Sequence, residues 1–323
     1  MDELCLVTGG AGFIGSHLVD ALLKRGRPVR VFDDFSTGSM DNLPGGYDLI
    51  EGSLVDPSAV AKAMHGVGTV FHLGALASVA RSVESPAVSH AACATGTLNL
   101  LDAARKVGVR RVVYAGSSSA YGGATGEGGQ SENLLPVAKS PYAAAKLAGE
   151  FYMQAFAATY GIETVRLRFF NIFGPRQRHD SPYSGVIALF TAMMARGEAP
   201  TVHGDGLQSR DFTYVGNAVQ ALLRAAEVPE ISGNVYNVGT GRSVTVLDLV
   251  AGLNAILGTN LAPRFAPPRA GDVRFSRADI RRTRRDLGYE PVETFEEGLL
   301  KTVRWYREEQ KERQIAHKFA PDR

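Results

Sequence analysis

The sequence predicts an α/β protein built on a doubly wound parallel sheet, with a smaller substrate-binding domain interleaved behind it. Three observations carry that prediction. Short β-rich runs alternate with helical stretches through the first half of the chain. Most of those runs are continuously apolar rather than alternating, as strands covered on both faces must be. After Asn171 the alternation gives way to loops rich in turn formers.

Taken in order, LCLVTG (4–9) opens as a strand and 13–25 follows as a helix. RPVRVFDD (27–34), YDLIEG (47–52) and TVFHLGA (69–75) are the next strands. The helical stretch 86–107 leads into the strand RRVVYAGS (110–117), and the helical stretch 142–160 into ETVRLRFF (163–170). NIFGPRQRHDSPYSG and VHGDGLQSRDFTYV are polar, turn-rich loops, after which NVYNVGTG (234–241) returns as one more buried strand. APPRAGDVRFSRADI opens a loop on prolines, and a helix starts near Thr294 with Glu297 in capping-box spacing. The expected division is 1–170 for the first domain, with a return segment at about 211–238, and 171–323 for the second.

Composition narrows the function. A chain of 323 residues with a net charge of +2 does not look like a nucleic-acid binder or a membrane-surface protein. Arg281, Arg282, Arg284 and Arg285 cluster, but Asp279 and Asp286 flank them, so the cluster reads as a solvated helix face. Two cysteines cannot build a disulfide framework, and the seven histidines show no metal-ligand spacing. A strand pattern starting at Leu4 leaves no room for a signal peptide, and no apolar run has membrane-spanning length. The expectation is a cytoplasmic protein without a metal.

TGGAGFIGSH lies between the first strand and the first helix. Gly10, Gly12 and Gly15 satisfy G-x-G-x-x-G, and Gly9, Gly12 and Gly15 fit the G-x-x-G-x-x-G variant. Glycine is needed there for a tight turn, for close backbone approach to a pyrophosphate and for helix–strand packing. The helix start offers free N–H groups to the phosphates. Asp33 ends the next strand, where a ribose-binding carboxylate belongs. It accepts from a 2′-hydroxyl and repels a 2′-phosphate, and Asp34 and Phe35 offer no arginine to neutralise one. NAD is therefore favoured over NADP.

SPYAAAKLAGE (140–150) places Tyr142 and Lys146 one turn apart on one helix face. AGSSSAYG (115–122) ends the fifth strand, and in an open parallel sheet that end faces the ligand crevice. A tyrosine is a poor base at neutral pH, so the expectation is that the ammonium and a positive nicotinamide ring both favour its phenolate. With a serine to orient the substrate hydroxyl, the pair can take a proton from an alcohol whose carbon gives up hydride.

The motifs TGGAGFIG, DDFSTG, SSSAYG, PYAAAK and RFFNIFGPRQ, with GDGLQSRDFTYV and RAGDVRFSRADI, resemble the extended short-chain dehydrogenase/reductases that act on nucleotide sugars. The resemblance runs to about residue 306. It implies a Rossmann-like sheet, bound NAD, a UDP-sugar substrate and a catalytic set of Ser117, Tyr142 and Lys146. For the cofactor it implies Gly9, Gly12, Phe13, Ile14 and Gly15 in the turn, Asp33, Asp34, Ser36 and Gly38 after the second strand, and Ser53, Leu54, Leu73 and Ala75 beyond. Asn171, Arg210 and Arg269 would take the diphosphate, whose oxygens suit an arginine fork, with Asp272 toward the ribose. Ser118, Ser119, Val186, Thr201 and His203 complete the substrate list. A homodimer through 86–107 and 142–160 is implied as well.

Dehydratases of this family carry an Asp–Glu pair after the catalytic hydroxyl, where this chain has Ser118 and Ser119. A 4-epimerase needs no such pair. Ser276 stands where epimerases that exclude N-acetyl sugars have a tyrosine, so the resemblance points to UDP-N-acetylglucosamine (UDP-GlcNAc), with UDP-glucose also accepted. The alternative for Ser276 is a helix cap before RADI. Two further readings compete: a UDP-glucuronate 4-epimerase using Arg176 or Arg178 on the carboxylate, and an NAD-sensing regulator without catalysis. Ser53 replaces the usual adenine-contacting aspartate and Cys93 a usual asparagine, which suggests looser NAD retention. Cys93, His72 and His203 read as packing or ligand-edge residues.

Overall fold

Leu4–Thr8 (β1) runs directly into a glycine turn and the helix Phe13–Lys24 (α1). The computed structural model describes residues 3–123, 129–180, 184–268 and 273–318. Val29–Asp33 (β2) and Asp48–Glu51 (β3) follow, then Pro57–Ala63 (α2) and Val67–His72 (β4). Asp56 accepts from Ser58 and Ala59 N–H and Pro57 occupies the first turn, a start signal that the apolar pattern alone did not single out.

The helix expected over 86–107 is continuous but carries a π-helical turn, and a separate short helix precedes it. Val79–Glu84 (α3) precedes Pro86–His90 (α4), and a π-helical turn at Ala91–Thr95 joins α4 to Gly96–Val107 (α5). Arg111–Ser117 (β5), Pro141–Tyr160 (α6) and Glu163–Phe169 (β6) complete the first half. Ser140 caps α6 by accepting from Ala143 N–H, Pro141 sits in its first turn, and left-handed Gly161 ends it.

These strands and the return strand Asn234–Val238 form one seven-stranded sheet, ordered return strand–β6–β5–β4–β1–β2–β3. Every pairing in it is parallel. The chain starts in the middle and winds outward both ways, so the strand order reverses between β1 and β4. That reversal opens a crevice at the carboxyl ends of the strands.

Apolar layers cover both faces of the sheet. Leu18, Val19 and Leu22 of α1 pack with Ala218, Leu222 and Tyr236 on one face, while Leu100, Leu101, Tyr114 and Met153 fill the other. The helix Val215–Glu227 thus belongs to the sheet although it follows the first loops of the second half. A third core gathers Phe173, Phe212, Tyr214, Phe295 and Leu299. Each such side chain is worth roughly 1.5–3 kcal/mol of burial, enough for this smaller unit to hold its loops. The capping box at Thr294 and Glu297 is formed and opens the last helix, Phe295–Lys318. Arg281, Arg284 and Arg285 pair with Asp279, Glu290 and Asp286 on an exposed face. No described helix is long and apolar enough to cross a membrane.

Candidate active site

A cleft of about 1740 Å³ opens at the crevice and runs from the glycine turn to the second half of the chain. It exceeds the ~300–1,000 Å³ of an ordinary small-molecule pocket, and has room for a dinucleotide and a second ligand together.

Gly9, Gly12, Phe13, Ile14 and Gly15 line one end of it. A Cβ on Gly9, which is left-handed at φ 67°, would sit 2.8 Å from Gly74 N, and one on Gly15 would collide with the Gly9 carbonyl. Gly12 would meet only the Gly9 carbonyl, so its open side faces the cleft. No side chain caps α1 and no acidic residue stands in its first turn, which leaves its N–H groups for an anion. Asp33 is nearly buried; its carboxylate accepts from Ala11 N–H and Phe35 N–H, both at 2.9 Å. Burial pushes its pKa up while those two N–H groups pull it down. The carboxylate therefore braces the glycine turn while it faces the cleft. Asp34, Ser36, Ser53, Leu54, Leu73 and Ala75 also line this end, whereas Gly38 packs behind it against Ala11. The residues fit an NAD molecule: a cradle that a Cβ would fill, beside a buried carboxylate.

At the centre, β5 delivers Ser117 and α6 delivers Tyr142 and Lys146 to the same cleft. Burial holds the Tyr142 hydroxyl well above the ordinary tyrosine value, Cys93 adds to the shift, and contact with Ser117 opposes it. The Lys146 Nζ lies 4.3 Å from the Tyr114 ring centroid, and the Tyr114 hydroxyl donates to the Lys146 carbonyl at 3.1 Å. Burial also pushes the Lys146 ammonium down, against Cys93 and Glu150. Cys93 itself is buried among Ala94, Ala145 and Tyr142 on the π-helical turn.

His72 lies deeper and does no acid–base work. Burial lowers its pKa to about 3, with Lys146 adding to the effect. Its Nδ1 meets Thr8 Oγ1 at 2.8 Å and its Nε2 meets Thr97 Oγ1 at 3.0 Å. Thr8 receives the Gly74 N–H and Thr97 donates to the Cys93 carbonyl, so a neutral ring with its proton on Nε2 satisfies the chain.

Ser118, Ser119, Asn171, Arg210 and Ser276 line the far end. Ser276 is 7% exposed and its N–H donates to the Ser209 carbonyl. It is not a helix cap, because the next helix begins at Arg281. Three expected substrate residues are absent from the cleft wall. Val186 opens the helix Val186–Ala195 and packs against the third core. Thr201 is exposed on a short strand, and on that strand His203 Nδ1 turns to the Pro267 carbonyl at 3.0 Å. Arg269 and Asp272 lie outside the described residues. The two arginines weighed for a carboxylate line the cleft but hold partners of their own, Arg176 with Asp20 and Arg178 with Asp180.

Asp211 escaped the sequence reading. It is fully buried and accepts from Thr240 N–H, Thr240 hydroxyl, Gly241 N–H and Ala278 N–H at 2.7–3.0 Å. It thereby ties the turn after the return strand to the segment carrying Ser276, right beside Arg210. Its place after Arg210 in SRDFTYV was the available signal. Gln130 and Lys139, also on the wall, had none.

The sequence profile of the NAD dependent epimerase/dehydratase family matches residues 5–239. A UDP-glucose 4-epimerase of Mycolicibacterium smegmatis is 37% identical over 308 residues, covering 94% of this chain and 98% of that protein. The crystal structure of a Thermotoga maritima UDP-glucose 4-epimerase with UDP-glucose superposes with a TM-score of 0.91 at 40% identity, covering 95% of this chain and 99% of that one. A Methanobrevibacter ruminantium UDP-N-acetylglucosamine 4-epimerase, in complex with UDP-N-acetylmuramic acid, does so with a TM-score of 0.91 at 36% identity and the same coverage.

Proposed function

The chain belongs to the NAD dependent epimerase/dehydratase family, and from that premise we propose that it is a UDP-sugar 4-epimerase interconverting UDP-GlcNAc and UDP-GalNAc. UDP-glucose and UDP-galactose are turned over as well. The observation that carries this reading is the meeting of Ser117, Tyr142 and Lys146 in one cleft between the glycine turn and Ser276.

In this reading Tyr142 Oη takes the proton of the sugar's C4 hydroxyl, and Ser117 hydrogen-bonds the reacting oxygens. NAD held at the glycine turn would supply the hydride acceptor at C4 and a positive charge that favours the Tyr142 phenolate. Lys146 would lend its own positive charge to this part of the cleft, and its carbonyl holds the Tyr114 hydroxyl. The sugar becomes a 4-keto sugar, turns in the cleft, and regains hydrogen on the opposite face with its proton from Tyr142, so no net oxidation occurs. Ser118 and Ser119 supply neither the acid nor the base that loss of water requires, which argues against a dehydratase.

The sugar choice rests on Ser276, a small side chain on the wall, and is supported by the UDP-N-acetylglucosamine epimerase among the structural neighbours. Arg210 and Asn171 are the proposed diphosphate contacts. The enzyme acts as a homodimer through α4–α5 and α6, where Val88, Phe151 and Tyr152 are exposed. Incubating the protein with UDP-GlcNAc, UDP-glucose and UDP-glucuronate separately and resolving the C4 epimers tests the proposal. UDP-GalNAc must appear; conversion of UDP-glucuronate alone would replace this reading with the uronate one.

A further inference from the structure

Ser117 Oγ is contacted twice by the same neighbour. The Ser119 backbone N–H donates to it at 3.2 Å, which caps the short turn Ser118–Tyr121, and the Ser119 hydroxyl donates to it at 2.9 Å. A serine hydroxyl has one proton and two lone pairs. With both lone pairs occupied, Ser117 can only donate, and its proton is directed away from the turn. Tyr142 lines the same stretch of cleft as Ser117, and its contact with Ser117 works against the upward push of burial.

The alternative arrangement would be counterproductive. A Ser117 oxygen with a free lone pair accepts a hydrogen bond from the Tyr142 hydroxyl and so holds the proton on the group that must lose it. A Ser117 that only donates stabilises the phenolate instead. We propose that Ser119 is a positioning residue that makes Ser117 an obligate hydrogen-bond donor toward the Tyr142 oxygen. This rests on the reading of Tyr142 as the base, and it gives Ser119 a task other than contact with the sugar.

The test is Ser119→Ala against Ser119→Thr, with kcat and KM followed across pH for a UDP-sugar. The alanine variant keeps the backbone cap and loses the hydroxyl donor. Its kcat should fall about threefold to tenfold, the size of one neutral hydrogen bond, and the acid limb of its kcat profile should move up by about half a unit to one unit. KM and bound NAD should stay as in the wild type. The threonine variant, which retains the donor, should recover most of the loss. A Ser119→Ala profile that superposes on the wild type, or runs faster, overturns the proposal. So does a rise in KM at constant kcat, which would make Ser119 a sugar contact. Ser117→Ala and Tyr142→Phe run alongside separate the two levels. If they retain turnover, the assignment of the base fails; if they lose it while Ser119→Ala is unaffected, only the positioning role fails.

Discussion

The glycine turn and Asp33 on the cofactor wall of the cleft belong to one continuous β–α–β stretch, whereas the sugar wall is assembled from separate loops, with Asp211 holding Ala278 67 positions away. On the first wall the glycine turn, the start of α1 and Asp33 are consecutive pieces of one β–α–β unit. Local backbone geometry builds that wall, and Asp33 locks it by holding Ala11 N–H. On the second wall Asn171, Arg210 and Ser276 come from three separate loops. The buried Asp211 carboxylate, next to Arg210, ties the turn at Thr240 and Gly241 to Ala278, two residues after Ser276. The difference teaches that hydride chemistry and sugar choice depend on separate structural devices, which can be broken one at a time.

The largest effect should come from the residue between the walls. Tyr142→Phe removes the proposed base and should lower turnover by about 10²–10⁴-fold, with NAD content nearly unchanged because neither wall is disturbed. Wild-type turnover should climb with pH through the neutral range. A phenol held high by burial is protonated there, and each step upward in pH frees more of the base. A flat profile would mean that proton removal does not limit the rate.

Asp211→Ala attacks the sugar wall at its clamp. Four donors lose their acceptor at once, and unmet buried groups cost about 1–3 kcal/mol each. Unfolding by denaturant should reveal a loss of about 3 kcal/mol or more, and KM for the UDP-sugar should rise more than Kd for NAD. Equal losses on both ligands would show that the walls are not independent.

Ser276→Tyr sharpens the comparison further, since it fills the sugar end with a rigid ring. A clash costs about 1–3 kcal/mol, roughly a five- to 150-fold loss in kcat/KM for UDP-GlcNAc. UDP-glucose, with only a hydroxyl at C2, should be largely spared. No loss on either sugar would remove Ser276 from the pocket.

Asp33→Ala is the mildest break, on the cofactor wall. NAD should bind about tenfold more weakly and the bias against NADP should relax. Titration of both cofactors into stripped protein reads this. Tighter binding of NADP than NAD by the wild type would contradict the role given to Asp33.

This asymmetry also explains how much was legible in the sequence. The sheet strands announce themselves as continuous apolar runs, and the glycine turn with Asp33 is a local pattern whose spacing follows from one strand and one helix. Ser117, Tyr142 and Lys146 were expected from the family resemblance, and they reach one cleft from the end of β5 and the first turns of α6. The sugar wall depends on contacts between remote loops, for which no spacing rule exists. Hence Thr201 and His203 were expected on it but lie on a short strand outside the cleft lining, while Asp211 was passed over. Burial is what no spacing rule could show: it pushes the Tyr142 hydroxyl up and sets the Lys146 ammonium 4.3 Å from the Tyr114 ring centroid.

The central claim is that one hydrogen leaves C4 and comes back to the same carbon of the same sugar. UDP-GlcNAc carrying deuterium at C4, incubated with the enzyme in ordinary water and analysed by mass spectrometry and NMR, tests it directly. The account predicts UDP-GalNAc that retains the deuterium at C4, with no label lost to solvent. Product carrying solvent hydrogen at C4, or label retained in unconverted UDP-GlcNAc with no epimer formed, would contradict it.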